Sequence, residues 1–206
     1  MKLEKISLSY GNKKVLENFT LEFPQTGRVC LFAPSGAGKT TILNLLCGLK
    51  TPDSGKVLGT KDKKFAMVFQ EDRLIPGLTV LENIQLVLGE EEDSEAESLL
   101  AQMGLAGEEK AYPGELSGGM KRRAAIARAL TFGKKHSGQA VYLLDEPLKG
   151  LDEKTAEQVR KIICRCCEGS LLVFVSHDRA QAERMADKIF FLEGEPVQVK
   201  DIWNKK

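Results

Sequence analysis

The sequence has no long apolar run and no excess of charge of either sign. No apolar stretch approaches the roughly 18 residues that a membrane-spanning helix needs. Residues 1–14 lack the apolar core and the small-residue cleavage site of a signal peptide. Lys and Arg number 30 against 29 for Asp and Glu, so the formal charge of +1 gives no global field that would hold nucleic acid or an anionic bilayer. These absences predict a cytoplasmic protein.

Residues that bind metals are also scarce. The five cysteines do not form the paired C-x-x-C motifs or the Cys–His sets of a zinc site, and the sequence has only two histidines, His136 and His177. Three cysteines lie at residues 164–167, where a helical pattern places Cys164 and Cys167 on one face and Cys166 on another. We expect buried apolar thiols without a metal or redox role.

Short apolar runs alternate with helical patterns along the chain. Residues 2–10 and 15–23 alternate between apolar and polar side chains, with turn signals between and after them, which predicts antiparallel strands. Unbroken apolar runs, typical of strands buried on both faces of a parallel sheet, occur at residues 28–33, 65–69, 140–144 and 171–175. The sequence therefore predicts an α/β fold with a mostly parallel core sheet and an N-terminal antiparallel β subdomain.

The length predicts one large domain with an insertion. A typical domain has roughly 150 residues, and residues 79–132 show helical patterns without a convincing strand. We expect a single domain over residues 1–206, with residues 1–78 and 133–206 as its α/β core and an inserted helical subdomain at 79–132. The acidic run at residues 90–93 is interpreted as a solvated loop or helix start, because carboxylates there favour the positive end of a helix.

A glycine-rich segment follows the first buried strand. Residues 33–40 read Ala-Pro-Ser-Gly-Ala-Gly-Lys-Thr and precede a helical pattern at 41–47, which is nearly the P-loop pattern G-x-x-x-x-G-K-[ST]. Small residues there let consecutive backbone N–H groups converge on phosphate oxygens at a helix N-terminus. In this pattern Lys39 reaches the β- and γ-phosphates and Thr40 ligates Mg²⁺. The candidate nucleotide-binding residues are Pro34, Ser35, Gly36, Ala37, Gly38, Lys39, Thr40 and Thr41.

The first position of the pattern is Ala33 where the pattern has glycine. If that position needs a positive φ, alanine costs roughly 1 to 2 kcal/mol. If it needs only a small side chain, the cost is slight. This leaves open a scaffold that binds nucleotide without hydrolysing it.

Two carboxylates end a later apolar strand. Residues 140–147 read Ala-Val-Tyr-Leu-Leu-Asp-Glu-Pro. In a P-loop enzyme Asp145 is placed to hold Mg²⁺, and Glu146 to orient and deprotonate the attacking water.

A second helix start has the features of an anion site. Residues 116–120 read Leu-Ser-Gly-Gly-Met before a helical pattern at 121–130, which places Ser117 at the N-cap with two glycines behind it. A single nucleotide does not obviously need two such cradles in one chain.

Together these motifs resemble the nucleotide-binding subunit of ABC (ATP-binding cassette) transporters, over essentially the whole chain. Residues 116–120 resemble the family signature. Tyr10 matches the aromatic residue that stacks on adenine, and Gln70 matches the Q-loop glutamine. Asp152 matches the D-loop, and His177 matches the switch histidine.

The resemblance implies a P-loop NTPase that binds ATP and Mg²⁺ and hydrolyses the ATP. It implies a head-to-tail homodimer, or a pair with a homologous ATPase, in which the signature of one subunit closes over the phosphate held by the other. The implied catalytic residues are Lys39, Gln70, Glu146 and His177. The implied metal ligands are Thr40, Gln70 and Asp145. The implied nucleotide contacts beyond the P-loop are Tyr10, Ser117, Gly118, Gly119 and Asp152.

Residues 70–84 are similar to ATPases of bacterial importers for nitrate, sulfonates, taurine and related small solutes. That similarity implies integral-membrane permease subunits, a substrate-binding protein, and a location on the inner face of the cell membrane. Three residues depart from the family pattern, namely Arg122, Leu148 and Lys149.

One alternative is a soluble ABC ATPase that acts on ribosomes or DNA. Those proteins usually carry two cassettes or a long coiled-coil insertion, which this sequence lacks. The basic residues at 121–123 and Arg128 are spread around their helix by its periodicity, so we expect no nucleic acid partner.

Overall fold

The structure, a computed structural model, describes residues 1–34, 36–88 and 93–205. In chain order its elements are β1 (Lys2–Tyr10), β2 (Lys13–Glu22), β3 (Gly27–Phe32), α1 (Lys39–Leu46), β4 (Ser54–Leu58), β5 (Lys64–Val68), α2 (Val80–Leu88), α3 (Asp93–Gln102), a 3-10 turn (Pro113–Glu115), α4 (Gly118–Lys135), β6 (Ala140–Asp145), α5 (Glu153–Cys166), β7 (Leu171–Ser176), α6 (Arg179–Met185), β8 (Lys188–Glu193) and β9 (Gln198–Asn204).

The strands form two sheets. A three-stranded antiparallel sheet has the order β2-β1-β4, and a six-stranded sheet has the order β5-β6-β7-β3-β8-β9. In the larger sheet β5, β6, β7, β3 and β8 are parallel, and β9 pairs with β8 in the antiparallel sense. The predicted α/β fold with a mostly parallel core sheet and an N-terminal antiparallel sheet is confirmed.

The central strands are buried on both faces, which explains their unbroken apolar sequence. Every residue of β6 and β7 is buried. Successive side chains of a strand point to opposite faces, so Val141 and Leu143 join an apolar cluster with α1 and the small sheet. Tyr142 and Leu144 join a second cluster, with the helices on the other face. The parallel sheet therefore lies between the two apolar clusters, one on each of its faces.

The described residues between 79 and 132 contain helices α2 and α3, the 3-10 turn and most of α4, and no strand. Helix α4 continues to Lys135, beyond the expected boundary. Ile84 and Leu100 from this region share one apolar cluster with Val68 and Tyr142 of the sheet. The division into a core and a helical subdomain therefore stays a prediction. Residues 89–92, which contain most of the predicted acidic run, lie outside the described residues.

All five cysteines are free thiols. Cys30 and Cys167 are buried, and burial raises the pKa of both thiols, which keeps them protonated. Cys164 packs against the same apolar cluster as Cys167. Cys166 packs against it as well. Among the described residues no group of three or more His, Cys, Asp or Glu side chains could hold a metal ion.

In the described part of the chain, none of the helices combines the length and the apolar character needed to cross a bilayer.

Candidate functional site

The candidate residues follow neighbouring parallel strands. Gln70 follows β5, Asp145 ends β6, His177 follows β7 and Ala33 follows β3. These four strands are adjacent in the order β5-β6-β7-β3. Because the carboxyl ends of parallel strands meet at one edge of the sheet, residues far apart in sequence come together there, where ligands bind in open α/β folds.

A polar cavity of about 250 Å³ opens at this edge. Its lining residues are Gly36, Gly38, Lys39, Thr40, Thr41, Gln70, Asp145, Glu146 and Lys149. The structure thus brings five of the predicted P-loop residues, Gln70 and the acidic pair to one place, whereas the predicted residues Pro34 and Ala37 are not among the lining residues. Lys149 also lines the cavity, although the sequence analysis gave it no site role.

The P-loop backbone needs glycine where it bends. Gly36 and Gly38 have φ of 80° and 75°, in the left-handed region that favours glycine. At Gly38 an added Cβ would lie 2.7 Å from Cγ1 of Val15, so space also excludes a side chain. The predicted residue Ser35 lies outside the described residues.

Ala33 fits its position without backbone strain. It is buried, and it is not among the non-glycine residues with positive φ in the described part of the chain. The cost considered for an alanine at this position therefore does not arise. The structure gives no reason to regard the loop as disabled.

Lys39 is a buried cation with neutral hydrogen-bond partners. Lys39 is 6% exposed, and its Nζ donates to the carbonyl oxygens of Ala33 and Pro34, both at 2.7 Å. Burial lowers the pKa of Lys39, although the charges of Glu146 and Asp145 oppose that change. Two carbonyls do not neutralise the ammonium charge, so the site fits an anion such as a phosphate group.

Thr40 and Asp145 form a pair of oxygen ligands. The Thr40 hydroxyl donates to Oδ2 of Asp145 at 2.5 Å. Burial raises the pKa of Asp145, and although the bond from Thr40 lowers it, the charge of Glu146 raises it further. A cation at the carboxylate would offset both of the raising effects. A hydroxyl, a carboxylate and the nearby Gln70 amide are oxygen donors of the kind that Mg²⁺ prefers, so the residues present fit this ion.

Glu146 is held by two basic side chains. Its Oε1 lies 3.0 Å from Nδ1 of His177, and its Oε2 lies 3.0 Å from Nζ of Lys149. Burial would raise the pKa of Glu146, but the hydrogen bonds and charges of Lys149 and His177 outweigh it and lower that pKa. The carboxylate is therefore ionised at neutral pH and can accept a proton. Its φ of 48° is unusual for a residue with a side chain.

The predicted signature residues do not line this cavity, as far as the described residues show. Ser117 is the N-cap of α4, and its Oγ accepts a hydrogen bond from Met120 N at 3.3 Å. Ser117 and Gly118 are exposed. Gly119 lies beside the segment that leads to Asp152, since a Cβ added to it would be 3.4 Å from Cδ2 of Leu151.

Tyr10 and Asp152 also lie outside the cavity lining, within the part of the chain that the structure describes. Tyr10 is 47% exposed, and Nζ of Lys50 lies 4.9 Å from its ring centroid. Asp152 is exposed and caps α5 by accepting from Thr155 N at 3.0 Å. The hydrogen bonds from Thr155 lower the pKa of Asp152.

Arg122 is a residue to which the sequence motifs give no site role. This residue is 5% exposed, and its guanidinium donates to the main chain beside both Gln70 and Glu146. The signal was present, because Arg122 and Lys149 both depart from the family pattern. Arg123 and Arg128 likewise donate to backbone carbonyls of the chain.

The parallel sheet with a P-loop and an acidic pair at its edge defines a P-loop ATPase. A family model described as ABC transporter matches residues 16–149. An aliphatic sulfonates import ATP-binding protein of Rhodococcus jostii (strain RHA1) is 35% identical over 196 residues, which cover 94% of this chain and 78% of the relative. A probable sulfate/thiosulfate import ATP-binding protein of Chlorella vulgaris is 36% identical over 215 residues, which cover 96% of this chain and 89% of the relative.

A solved structure is also similar. The dimeric ATP-binding cassette MJ0796, in a post-hydrolysis state bound to ADP and Pi, matches with a TM-score of 0.86 and 29% identity, over 98% of this chain and 97% of that one. The chain therefore belongs to the ABC transporter family, and it is an ATP-binding, ATP-hydrolysing cassette. The predicted resemblance, fold and ATPase activity are confirmed.

Proposed function

We propose that the chain is the ATPase subunit of an importer of small solutes, and that it hydrolyses ATP in the cavity at the edge of the parallel sheet. The observation that carries the proposal is the meeting of Lys39, Thr40, Asp145 and Glu146 around one polar cavity. The import proteins to which the chain is similar support the transport direction.

The P-loop binds the phosphates. Lys39 exchanges its carbonyl partners for phosphate oxygens, and the backbone amides that precede α1 donate to the same group. Thr40, Asp145 and Gln70 hold Mg²⁺. When bound, Mg²⁺ neutralises charge that develops on the phosphate oxygens.

Glu146 acts as the general base. Its ionised carboxylate accepts a proton from a water molecule whose oxygen attacks the γ-phosphorus, while the bond from that phosphorus to the β–γ bridging oxygen breaks. The products are ADP and inorganic phosphate, and the proton is on Glu146. His177 orients the carboxylate through its contact at 3.0 Å, and Gln70 senses the γ-phosphate from the neighbouring strand end.

We further propose a head-to-tail dimer, either of this chain or with a homologous ATPase. In it Ser117, Gly118 and Gly119 of one subunit close over the phosphate that Lys39 holds in the other. The exposure of Ser117 and Gly118 supports this arrangement, as does the dimeric assembly of the similar cassette. Asp152, beside the signature, then lies at the same interface, and Tyr10 stacks on adenine.

Transport needs membrane partners, because the proposed cassette supplies only the hydrolysis. We propose integral-membrane permease subunits that dock near residues 70–84, together with a substrate-binding protein, and a location on the inner face of the cell membrane. Ile75 in this segment is 44% exposed, which supports a docking role. Co-purification of the tagged chain with a multi-span membrane protein from a detergent extract tests this part of the proposal. Purification of the chain without any such membrane protein contradicts the proposal.

The catalytic assignment is tested with Glu146→Gln. We expect turnover to fall by about 10² to 10⁴-fold, the usual contribution of a positioned base, while ATP binding persists. The matched control is Glu183→Gln, because Glu183 also contacts a basic residue, Arg179, at 2.8 Å but lies outside the cavity. Near-normal turnover in Glu146→Gln contradicts the assignment.

The proposed dimer is tested separately. Light scattering of the Glu146→Gln variant with ATP should show a dimer, and a monomer at high concentration contradicts the dimer.

A further inference from the structure

The guanidinium of Arg122 joins helix α4 to Phe69, the residue between strand β5 and Gln70. Nη1 donates to the carbonyl oxygen of Phe69 at 2.5 Å, one residue before Gln70, and lies 3.3 Å from Oδ1 of Asp72. Arg122 belongs to the first two turns of α4, the helix that Ser117 caps. The helix that carries the signature is thus hydrogen-bonded to the backbone beside Gln70.

The same guanidinium also reaches the backbone beside the proposed general base. Nη2 donates to the carbonyl oxygen of Glu146 at 2.8 Å and to that of Asp145. Glu146 has a φ of 48°. A side-chain-bearing residue keeps such a conformation only where its surroundings fix it, and the bond from Arg122 to the Glu146 carbonyl is one contact that does so.

We propose that Arg122 is a positioning residue that holds Glu146 and Gln70 in the geometry needed for hydrolysis. The proposal rests on the proposed roles of those two residues. Because one side chain on α4 bonds to the main chain at both places, a displacement of the signature helix moves both with it. Closure of the signature over the phosphate that the partner subunit holds is thereby linked to the alignment of Glu146.

The planar fork of arginine is needed for this arrangement. Its five N–H donors have a fixed geometry, so Nη1 and Nη2 can serve the Phe69 and Glu146 carbonyls at once. A glutamine amide at position 122 has two hydrogens on one nitrogen and a shorter stem. We expect it to reach one of these carbonyls but not both.

The neighbouring residue offers a control for the loss of side-chain hydrogen bonds to the main chain. Arg123 donates to the carbonyl oxygens of Met103 and Gly104, and at 3.3 Å to that of Gly119, on the same helix. It makes no hydrogen bond to Gln70 or Glu146 among the described residues. Arg123→Gln therefore removes bonds of the same kind without touching the two positions at issue.

The first experiment compares Arg122→Gln with Arg123→Gln in kcat, in the Kd for ATP and in Tm. We expect Arg122→Gln to lower kcat by about tenfold to a hundredfold, the effect of a misplacement of about 1 Å, with the Kd for ATP within about twofold. Arg123→Gln should keep kcat within about twofold of the wild-type value, even if it lowers Tm as much as Arg122→Gln does. Equal kcat in the two variants overturns the proposal. If Arg122→Gln does not fold, Arg122→Lys replaces it, because lysine keeps the charge but not the planar guanidinium. A kcat of Arg122→Lys equal to that of Arg123→Gln then overturns the proposal.

The second experiment asks whether Arg122 acts through Glu146. In a Glu146→Gln background, adding Arg122→Gln should cause little further loss of single-turnover rate, because the base that it positions is already absent. A further loss as large as in the wild-type background overturns the proposal.

The third experiment is chemical rescue. Guanidinium at tens of millimolar should partly restore kcat of Arg122→Ala, and equal rescue by sodium chloride also overturns the proposal. Normal turnover of Glu146→Gln alone would instead contradict the proposed function.

Discussion

The ammonium group of Lys149 lies 3.0 Å from Oε2 of Glu146. His177 contacts the other carboxylate oxygen at the same distance, so the carboxylate sits between two basic groups. More than half of the Lys149 side chain is exposed to solvent, whereas Glu146 is buried. Lys149 therefore contacts the buried carboxylate from the solvent side.

Removing Lys149 should move the pH dependence of turnover. The hydrogen bond and charge of Lys149 help to hold the pKa of Glu146 below its usual value. In Lys149→Ala that pKa rises, so a larger share of Glu146 is protonated at low pH and cannot accept a proton. We expect the acid limb of the kcat–pH profile to move to higher pH. The control is Lys161→Ala, which removes an exposed lysine 3.7 Å from Glu157 and should leave the profile in place. A shift to lower pH, or an equal shift in both variants, contradicts the prediction.

Replacing the Thr40 hydroxyl should weaken the binding of ATP only when magnesium is present. Thr40→Val keeps the shape but removes both the bond to Asp145 and one proposed metal ligand. We expect the Kd for ATP with Mg²⁺ to rise by about tenfold or more, a typical effect for a metal site that loses support. Calorimetric titration in EDTA should show little change. Thr20→Val, at an exposed threonine in β2 that accepts a bond from Lys5 N, is the control. Equal weakening with and without Mg²⁺ would argue against a metal role for Thr40.

A methyl group at Gly133 should destabilise the packing of α4 on the sheet. A Cβ there would lie 2.2 Å from Cε1 of Tyr142, although Gly133 is in a helix where alanine is intrinsically preferred. We expect Gly133→Ala to lower the free energy of unfolding by about 1 to 3 kcal/mol, because overpacking outweighs the helix propensity. Urea unfolding measures this change. Gly77→Ala, where an added Cβ meets nothing within 4 Å, should be near neutral.

A second variant separates overpacking from a loss of the helix. Tyr142→Leu in the Gly133→Ala background removes the ring that the methyl group meets. Part of the lost stability should return relative to the sum of the two single changes. Strict additivity of the two changes would show that the Tyr142 ring is not the cause.

The strands that the sequence predicts best are those that the sheet buries most. The runs at residues 140–144 and 171–175 become β6 and β7, because helices on both faces demand apolar side chains at every position. Strand β4 has no such pattern, since four of its five residues are exposed and its pairing with β1 is set by distant residues. The apolar run in β8 is a further local signal of a strand.

In the candidate site, too, local sequence patterns predict some relationships between residues and not others. The motifs predict that Lys39, Thr40, Asp145 and Glu146 belong together, because each has a recognisable local pattern. The contact of Lys149 with Glu146 depends on how the chain turns after β6, starting from a residue with φ of 48°. The bonds of Arg122 depend on how α4 packs against β5 and β6. The departures of Arg122 and Lys149 from the family pattern mark these residues but not their partners, which only the three-dimensional structure reveals.

The position of Lys50 over the ring of Tyr10 bears on the proposed stacking of Tyr10 with the nucleotide base. An ammonium 4.9 Å from the ring centroid occupies one face of the aromatic, so a base stacks on the other face or displaces the lysine. Stacking is available to every base, since each has a π-face, and it does not read the pattern of donors and acceptors on the base edge. The proposed stacking on Tyr10 would therefore favour purine nucleotides by ring size and would separate adenine from guanine poorly.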